Sequence, residues 1–313
     1  MEIKNYEPGN EIEIMELFEM VYKRPISYEQ WLWRFRDNPA GAHLIKLMWD
    51  NDKLVGHYAV SPVVLNVNGE VYQSCHSLTT MTHPDYGRQG IFTKLANALY
   101  FDLEEKLDYH GIWGFPNSNS HYGFIKKLGW SDVGLIHTLQ KDIEVDPSSS
   151  DIGLNEVFSF NENHATVFND NFKDSIHIER SVNYLNWRYV EKPVTEYRRY
   201  QIESEHGKGI VVAKVYPSGS QNQFDLNIVE CFLDSFENMH DIIDYIMKDF
   251  NLSFSRVTIW KNLFDKDHLW LERNRFVPVL PQTYLAARIH QSMPNSFSDY
   301  RSWYTSMGDS DVF

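Results

Sequence analysis

A short glycine-containing loop, placed between a strand pattern and a helix pattern, is the part of the sequence best suited to chemistry. A β-branched run ending at Thr82 leads through Gly87-Arg88-Gln89-Gly90 into an apolar helix pattern that begins at Ile91. Backbone N–H groups of such a loop can converge on an anion, and the helix N-terminus adds about half a positive charge. Gly90 permits close backbone approach because it lacks a β-carbon, and Arg88 adds a cation. The segment therefore predicts a binding site for a pyrophosphate group.

The elements that must position this loop predict an α/β fold with a mixed sheet. In the first half, hydrophobic periodicity predicts helices at 12–21, 91–107 and 120–128 and strands at 42–49, 54–60, 63–67, 70–82 and 111–115. In the second half it predicts strands at 194–203, 210–216, 224–232 and 256–260 and helices at 239–250 and 263–273. Residues 292–313 are polar and aromatic with little periodicity.

The order of elements repeats, and so do short sequence motifs. Trp33-Arg34-Phe35 and Trp187-Arg188-Tyr189 lie 154 residues apart, and each is followed four residues later by a proline. Ala59 falls on Ala213 at the same offset, and segment 124–130 resembles 270–276 at a slightly shorter one. Together these echoes predict a duplicated module. The tryptophans and arginines of the two motifs are interpreted as core and strand-edge residues.

The polar stretch 146–151 is the best linker in the chain. We therefore expect a first domain at 1–146 that carries the loop, a second domain at 152–291, and a tail at 292–313 that packs back toward the active site. At the matching place in the second domain, segment 232–240 has no glycine and carries two acidic residues. Those charges would repel a pyrophosphate, so we expect no such site there.

Composition excludes several classes of protein. The 313 residues include 42% hydrophobic residues and carry a formal charge of −14, which disfavours a nucleic acid partner. No run approaches the roughly 20 apolar residues that span a bilayer, and the N-terminal residues are polar, so we expect a cytoplasmic protein with no membrane insertion. The two cysteines are expected to be reduced thiols. No metal is expected, and the oligomeric state stays open.

The loop and the residues after it resemble the GNAT superfamily, whose signature is Arg/Gln-x-x-Gly-x-Gly/Ala. Here the signature falls on Gly87 to Phe92, so that Gly90 fits while the first and last positions hold Gly and Phe. Phe115-Pro116-Asn117 and Lys127-Leu128-Gly129-Trp130 are similar to the family's later strand end and its closing motif. The resemblance implies an N-acyltransferase with acyl-CoA, either acetyl-CoA or a longer acyl-CoA, as co-substrate. It also implies two tandem GNAT-like domains, each a mixed, mostly antiparallel sheet flanked by helices, of which only the first binds CoA.

The same resemblance assigns residues to the carrier. Pantetheine would take up backbone groups of Thr80, Met81 and Thr82, one N–H of which would polarise the thioester carbonyl. The diphosphate would lie on Gly87, Arg88, Gln89, Gly90, Ile91, Phe92 and Thr93. Asn117 would hold pantetheine or substrate, although capping of the next helix is an alternative.

Three residues are candidates for moving protons. His76 lies early on the strand before the loop and would act as a base, unless it is simply a half-exposed strand histidine. Ile125 falls where many family members have a tyrosine that protonates the leaving thiolate. Tyr122 is the possible substitute, or else a surface aromatic residue. By resemblance to Eis-type acetyltransferases, the carboxylate of Phe313 would be a base; the alternative is an Asp-rich turn with a free terminus.

The acceptor is suggested by the segment from Trp303 to Asp311, which reads Trp-x(4)-Gly-Asp-x-Asp. With the Trp-Arg-aromatic repeat, it resembles the sugar-nucleotide N-acyltransferases of surface-polysaccharide biosynthesis. The resemblance implies a nucleotide-linked amino sugar as acceptor, with Asp309 or Asp311 holding its ammonium group. Alternatives are an aminoglycoside or polyamine N-acetyltransferase acting on another small amine, and a non-catalytic GNAT-derived binding module.

Overall fold

A computed structural model describes residues 1–107, 109–143, 152–204, 207–219, 222–290 and 293–313. The linker expected at 146–151 and the start of the tail at 292 lie outside these residues. The helices are α1 (Glu11–Tyr22), α2 (Tyr28–Phe35), α3 (Ile91–Glu105), α4 (His121–Lys127), α5 (Glu162–Phe172), α6 (Val182–Tyr189), α7 (Met239–Phe250) and α8 (His268–Arg273).

The strands alternate with these helices in both halves of the chain. They are β1 (Glu2–Asn5), β2 (Leu44–Asp50), β3 (Lys53–Val67), β4 (Glu70–Thr82), β5 (Gly111–Gly114), β6 (Ser131–Asp142), β7 (Leu154–Glu156), β8 (Ile176–Ile178), β9 (Arg198–Ser204), β10 (Gly207–Pro217), β11 (Phe224–Leu233), β12 (Phe254–Lys261) and β13 (Val277–Ile289).

The chain forms two compact units. Unit 1 comprises Met1–Gly134, Glu191–Val194 and Tyr284–Ser298, and unit 2 comprises Leu135–Val190, Thr195–Thr283 and Asp299–Phe313. The segment Tyr284–Ser298 therefore belongs with the first half of the chain, although it follows the second half in sequence.

The sheet of unit 1 has the order β1-β2-β3-β4-β5, and the end of β13 is added on β5. Neighbours are antiparallel except for β4 and β5, which are parallel. Successive residues of β3 point to opposite faces, so that Tyr58 packs with Leu95 of α3 while Ala59 packs with Trp31 of α2. Helices thus cover both faces of this sheet.

Unit 2 repeats this arrangement with the order β6-β12-β11-β10-β9-β7. The pair of β11 and β12 is parallel and the other pairs are antiparallel. The apolar face of α7 packs on β10, β11 and β12 around Val211, Leu226 and Ile259. The expected fold class, α/β with mixed and mostly antiparallel sheets flanked by helices, is confirmed.

The internal repeat extends to an irregularity in pairing. In unit 1, Ala59 pairs with Leu78 and His57 with Met81, so that β4 carries one extra residue at Thr79-Thr80. In unit 2, Ala213 pairs with Ile228 and Val212 with Glu230, so that β11 carries its extra residue at Val229. In both units the β-bulge comes directly after the residue that pairs with the repeated alanine, Leu78 opposite Ala59 and Ile228 opposite Ala213.

Several predicted elements were wrong in detail. The strands expected at 54–60 and 63–67 are one strand, β3, because Pro62 is accommodated within it opposite Cys75. The helix expected from 263 begins at His268. Trp33 and Arg34 lie on α2 and not at a strand edge. This helix begins at a capping box in which the Ser27 side chain accepts from the Gln30 N–H and the Gln30 side chain accepts from the Ser27 N–H.

Candidate active site

The loop before α3 has the backbone geometry that the glycines suggest. After β4, a 3-10 turn at Pro84–Tyr86 leads to Arg88 and Gly90, whose φ angles are 63° and 71°. Residues Gly87 to Gly90 are exposed. Gly90 stands at the N-cap of α3 and supplies no side-chain cap, so the N–H groups of the first helical turn, from Ile91 to Thr93, have no intrahelical acceptor.

The loop is held at both of its ends. His83 is buried, and its Nδ1 accepts from the N–H of Asp85 at 3.2 Å. The Tyr86 hydroxyl donates to the Asp50 carboxylate at 2.8 Å. On β3, Gly56 lets the start of the helix come close, because a β-carbon there would lie 2.3 Å from Cγ2 of Ile91. The exposed loop and the first turn of α3 are therefore held in a fixed position.

Strands β4 and β5 pair over a short distance and then separate. Their parallel pairs run from Ser74 with Gly111 to His76 with Trp113, whereas β4 continues to Thr82. Thr80, Met81 and Thr82, predicted to meet pantetheine, lie on this continuation. The bulge at Thr79-Thr80 lies there too, between the last paired residues and the loop.

Side chains from β3, α1 and α2 form hydrogen bonds with the two residues of the bulge, Thr79 and Thr80. His57 Nδ1 lies 2.8 Å from the Thr79 carbonyl oxygen, and the Tyr22 hydroxyl donates to the Thr80 carbonyl oxygen at 3.1 Å. Arg34 Nη1 donates to the Thr79 hydroxyl at 3.3 Å. Thr79 itself has a φ of 51°, which is uncommon for a β-branched residue. Three side-chain hydrogen bonds therefore stabilise the unfavourable backbone conformation of the bulge.

Burial decides the protonation state of the groups beneath the bulge. It lowers the pKa of His57 to about 4, against the opposing effect of the Thr79 carbonyl, so the ring is neutral near pH 7. On the other face of the sheet, the Tyr58 hydroxyl lies 2.9 Å from Ser77 Oγ and 3.0 Å from the Tyr100 hydroxyl. Burial raises the pKa of Tyr58 well above its ordinary value, so the phenol stays protonated.

The candidate proton carriers of unit 1 have different environments. His76 is buried, and its ring stacks on Trp113 at 4.7 Å and meets the edge of Phe115. Tyr122 lies on α4 with 65% of its surface exposed. Asn117 is exposed, and its Oδ1 accepts from the N–H groups of Asn119 and Ser120, which forms a turn just before α4. Their roles in the reaction stay predictions.

The candidates from the tail belong to unit 2. Asp309 is buried there, where its carboxylate accepts from Arg180 at 2.6 Å and from the Ser306 N–H at 2.8 Å. Asp311 is exposed. The terminal carboxylate of Phe313 accepts from Arg188 through one of its oxygens, at 2.8 Å. Their assignment to substrate binding and catalysis stays a prediction. For Asp309, substrate binding would require its ion pair with Arg180 to break.

Unit 2 fills the corresponding part of its own sheet with the tail. Asn262 follows β12 as Asn117 follows β5, and its Oδ1 likewise accepts from the N–H two residues on, that of Phe264. Its Nδ2 donates to the carbonyl oxygens of Tyr300 and Trp303, at 2.7 and 2.9 Å. Chain segment 299–313 therefore accepts hydrogen bonds from the residue that follows β12.

A buried charge cluster anchors that tail. Glu230 accepts from Arg180 at 2.8 Å, from the Tyr304 hydroxyl at 2.6 Å and from the Ser306 hydroxyl at 3.1 Å. Burial opposes ionisation, but the Arg180 guanidinium holds the pKa of Glu230 below its ordinary value, whereas burial raises that of Asp309. Gly308 is required here, because a β-carbon would lie 1.9 Å from the Tyr189 hydroxyl.

Sequence reasoning missed the residues that support the bulge. His57 lies in the apolar stretch of β3, where its spacing marks it only as a core position. Tyr22 ends α1, and Arg34 lies on a helix that the sequence interpretation omitted. The alignment of Ala59 with Ala213 was the one available signal, because it placed His57 two residues before a repeated position.

Comparison with known proteins agrees with this geometry. Residues 2–133 match the family described as acetyltransferase (GNAT) domain. No curated protein matches the chain at a significant level. Among solved structures, a GCN5-related N-acetyltransferase from Anabaena variabilis ATCC 29413 is 14% identical, with 93% of this chain and 73% of that chain covered and a TM-score of 0.71.

Two further structures have a similar fold. A conserved protein from Enterococcus faecalis V583, described as a probable N-acyltransferase, is 15% identical with a TM-score of 0.70 and covers 93% of this chain and 73% of that chain. A tandem GNAT protein from the clavulanic acid biosynthesis pathway is 12% identical with a TM-score of 0.57 and covers 93% and 99%.

Residues 2–133 are similar to GNAT acetyltransferase domains, and this similarity supports an N-acyltransferase. The GNAT fold implies an acyl-CoA co-substrate. Within the described residues, no helix is long and apolar enough to cross a membrane. Likewise, the part of the chain that the structure describes has no group of three or more His, Cys, Asp or Glu side chains arranged to hold a metal ion.

Proposed function

We propose that the protein transfers an acyl group from acyl-CoA to the amine of a nucleotide-linked amino sugar, and that unit 1 alone binds the carrier. The observation that carries the proposal is the N-terminus of α3, which has no side-chain cap and follows the exposed loop that ends at the left-handed Gly90. Each charge-assisted hydrogen bond from such N–H groups to a diphosphate contributes about 1.5–3 kcal/mol. A few of them can retain an anionic carrier on a protein whose net charge is −14.

The pantetheine arm would follow β4 beyond its pairs with β5. There the backbone of Thr80, Met81 and Thr82 would meet it, and Asn117 would donate an amide hydrogen to it. This last role is supported by Asn262, whose amide donates to two carbonyl oxygens from the same kind of turn. The thioester would then lie beside the bulge.

The reaction itself needs two proton movements. The amine nitrogen attacks the thioester carbonyl carbon, the carbon–sulfur bond breaks, the amine loses a proton to a base, and the thiolate takes one up. A backbone N–H of the bulged strand would stabilise the oxyanion. His76 and the carboxylate of Phe313 are the candidate bases, and Tyr122 is the candidate acid.

Two features exclude unit 2 as a second carrier site in this proposal. Asp234 and Glu237 precede α7, and Asp241 lies in its first turn, so this helix N-terminus presents negative charge. In addition, the strand ends are already bonded to the tail. The acidic residues at the start of α7 would repel a diphosphate. At the strand ends, the rest of the carrier would have to compete with the tail for hydrogen bonds.

The acceptor rests on the resemblance of Trp303 to Asp311 and of the two Trp-Arg motifs to sugar-nucleotide N-acyltransferases. The acidic net charge supports an alternative, a polyamine or aminoglycoside, because such a surface attracts polycations. Ile125, in place of the expected tyrosine, supports a binding module without catalysis.

A thiol-release assay across acyl-CoAs and amines separates these functions. Acetyl-CoA and longer acyl-CoAs are each paired with nucleotide-linked amino sugars, aminoglycosides and polyamines. Release only with the amino sugars is the expected result. Release only with polyamines or aminoglycosides would replace the acceptor, and CoA binding without release by any amine would establish the binding module.

A further inference from the structure

The bulge in β4 is supported by a histidine that the reaction scheme above does not use. We infer that His57 is a positioning residue for acyl transfer: its Nδ1–H donates to the Thr79 carbonyl oxygen and thereby sets the direction of the Thr80 N–H beside the thioester. This inference rests on the proposed function, since it concerns the strand along which the acyl carrier would lie.

The bulge needs such support because its backbone is unfavourable by itself. Thr79 has a φ of 51°, a left-handed conformation that is strained for a β-branched residue. His57 is 0% exposed and lies 2.8 Å from the Thr79 carbonyl oxygen. Arg34 holds the hydroxyl of the same threonine at 3.3 Å. The conformation is therefore maintained from neighbouring elements.

Planarity of the peptide bond links this support to the reaction. The Thr79 carbonyl and the Thr80 N–H share one rigid plane and point in opposite directions. A bond that fixes the carbonyl oxygen therefore fixes the N–H as well. The Tyr22 hydroxyl, which donates to the Thr80 carbonyl oxygen at 3.1 Å, restrains the Met81 N–H in the same way.

The histidine is suited to this task and not to proton transfer. Its Nδ1 must carry the hydrogen, because the partner is a carbonyl oxygen. Among the described residues, Nε2 has no hydrogen-bond partner and is fully buried. The ring is thus a fixed donor, which agrees with its neutrality near pH 7.

Unit 2 shows that a bulge does not require a histidine. Val211, which pairs with Cys231, stands where His57 pairs with Met81. Valine has no donor. The donor is therefore present only in the half whose loop carries the glycines. This difference separates a role in the reaction from a role in forming the fold.

The test compares three substitutions at His57 with one at His43, using the acyl-CoA and amine that the wild-type protein accepts. His57→Val copies unit 2, His57→Phe keeps a ring without a donor, and His57→Asn keeps a donor near the Nδ1 position. His43→Val is the matched control, because His43 is half-buried in the same cluster and contacts Phe35 and Trp31, not the bulge. Thermal unfolding is followed for each variant.

Loss of the donor should lower kcat about 10- to 100-fold, as expected when a reacting group is misplaced, while the KM for acyl-CoA stays near its wild-type value. His57→Asn should recover most of kcat, and His43→Val should keep it. If His57→Val does not fold, His57→Phe gives the same comparison.

Unchanged kcat in the Val and Phe variants would overturn the inference. So would losses that follow thermal stability alike at His57 and His43 without rescue by Asn. If the wild-type protein releases no thiol with any amine, the proposed function fails, and this inference fails with it.

Discussion

Thr80 in β4 and Glu230 in β11 stand at the same place in the two repeats, two residues beyond Leu78 and Ile228, which pair with the equivalent alanines. In unit 1 this position is Thr80, which has a neutral side chain. Its backbone carbonyl oxygen accepts a hydrogen bond from the Tyr22 hydroxyl. In unit 2 it carries a buried carboxylate bonded to Arg180 and to the tail. Similar backbones thus present different chemistry, which supports one carrier site per chain.

The first prediction concerns Gly90. Its φ is 71°, and a β-carbon there would meet no atom within 4 Å, so Gly90→Val should not clash inside the protein. The substitution should instead strain or reshape the loop, since the left-handed conformation costs about 1–2 kcal/mol. We expect the KM for acyl-CoA to rise about tenfold or more, measured by steady-state thiol release.

Gly153→Val is the matched control for this experiment. Gly153 lies in unit 2, has a φ of 65°, and likewise has open space around it. A substitution at Phe236 would be a poorer control, because Phe236 is buried in the core of unit 2 and its loss would lower stability. Equal increases in KM for Gly90→Val and Gly153→Val would contradict the role of the loop.

The second prediction uses the two equivalent asparagines. Asn117→Ala should raise the KM for acyl-CoA about tenfold, the effect of one hydrogen bond of roughly 1.4 kcal/mol, with a stability loss of about 1 kcal/mol because the turn before α4 loses the side chain that accepts from two of its N–H groups. Asn262→Ala should lower the free energy of unfolding and leave KM unchanged, because its amide holds the tail. The opposite assignment of effects would refute the equivalence.

The third prediction concerns the buried charges of unit 2. Arg180→Met leaves Glu230 and Asp309 without their cation, and breaking such a pair costs about 3–5 kcal/mol. Urea denaturation should show this loss in the free energy of unfolding. Arg301→Met removes the exposed partner of Asp299 and should change it little. A small effect at Arg180 would mean that the tail is not anchored by this cluster.

The fourth prediction is a pH dependence. The folded-state pKa of His57 is lowered to about 4 from an ordinary value of 6.5, so the unfolded chain binds more protons between these values. Stability is therefore lost as the pH falls from 6.5 toward 4, by about 2 kcal/mol between pH 7 and pH 5. Neighbouring His43 opposes the charge as well.

Denaturation of the wild-type protein and of His57→Asn at pH 7 and pH 5 measures this term. The variant should lose less stability on acidification than the wild-type protein. The buried His177, whose pKa burial lowers to about 3, contributes in both and cancels in the comparison. Equal losses would show that His57 takes up a proton without cost.

The sequence predicted those parts of the fold that depend on local signals. Strand β4 and helix α7 have the predicted bounds, because Asn68-Gly69 marks one turn and a strongly amphipathic pattern marks the other element. Helix α2 was missed because it has only eight residues, too few for a clear apolar period, and its start is set by the reciprocal cap of Ser27 and Gln30. The addition of Tyr284–Ser298 to unit 1 depends on pairing across a long sequence separation, for which a single sequence contains no signal.

In the candidate site, too, local features were predicted from the sequence and long-range contacts were not. Gly90 and its loop were found because glycine at a left-handed position has a sequence signature. The contact between His57 and Thr79 was not, because it joins two strands through a register shift. The buried state of Asp309 also could not be predicted, since it depends on Arg180, 129 positions away.

Calorimetric titration with CoA tests the central claim most directly. The wild-type chain should bind one CoA per chain, Gly90→Val should weaken that binding at least about tenfold, and Gly153→Val should not change it. Two CoA molecules per chain, or equal affinity in the wild-type and Gly90→Val proteins, would contradict a single carrier site at the start of α3.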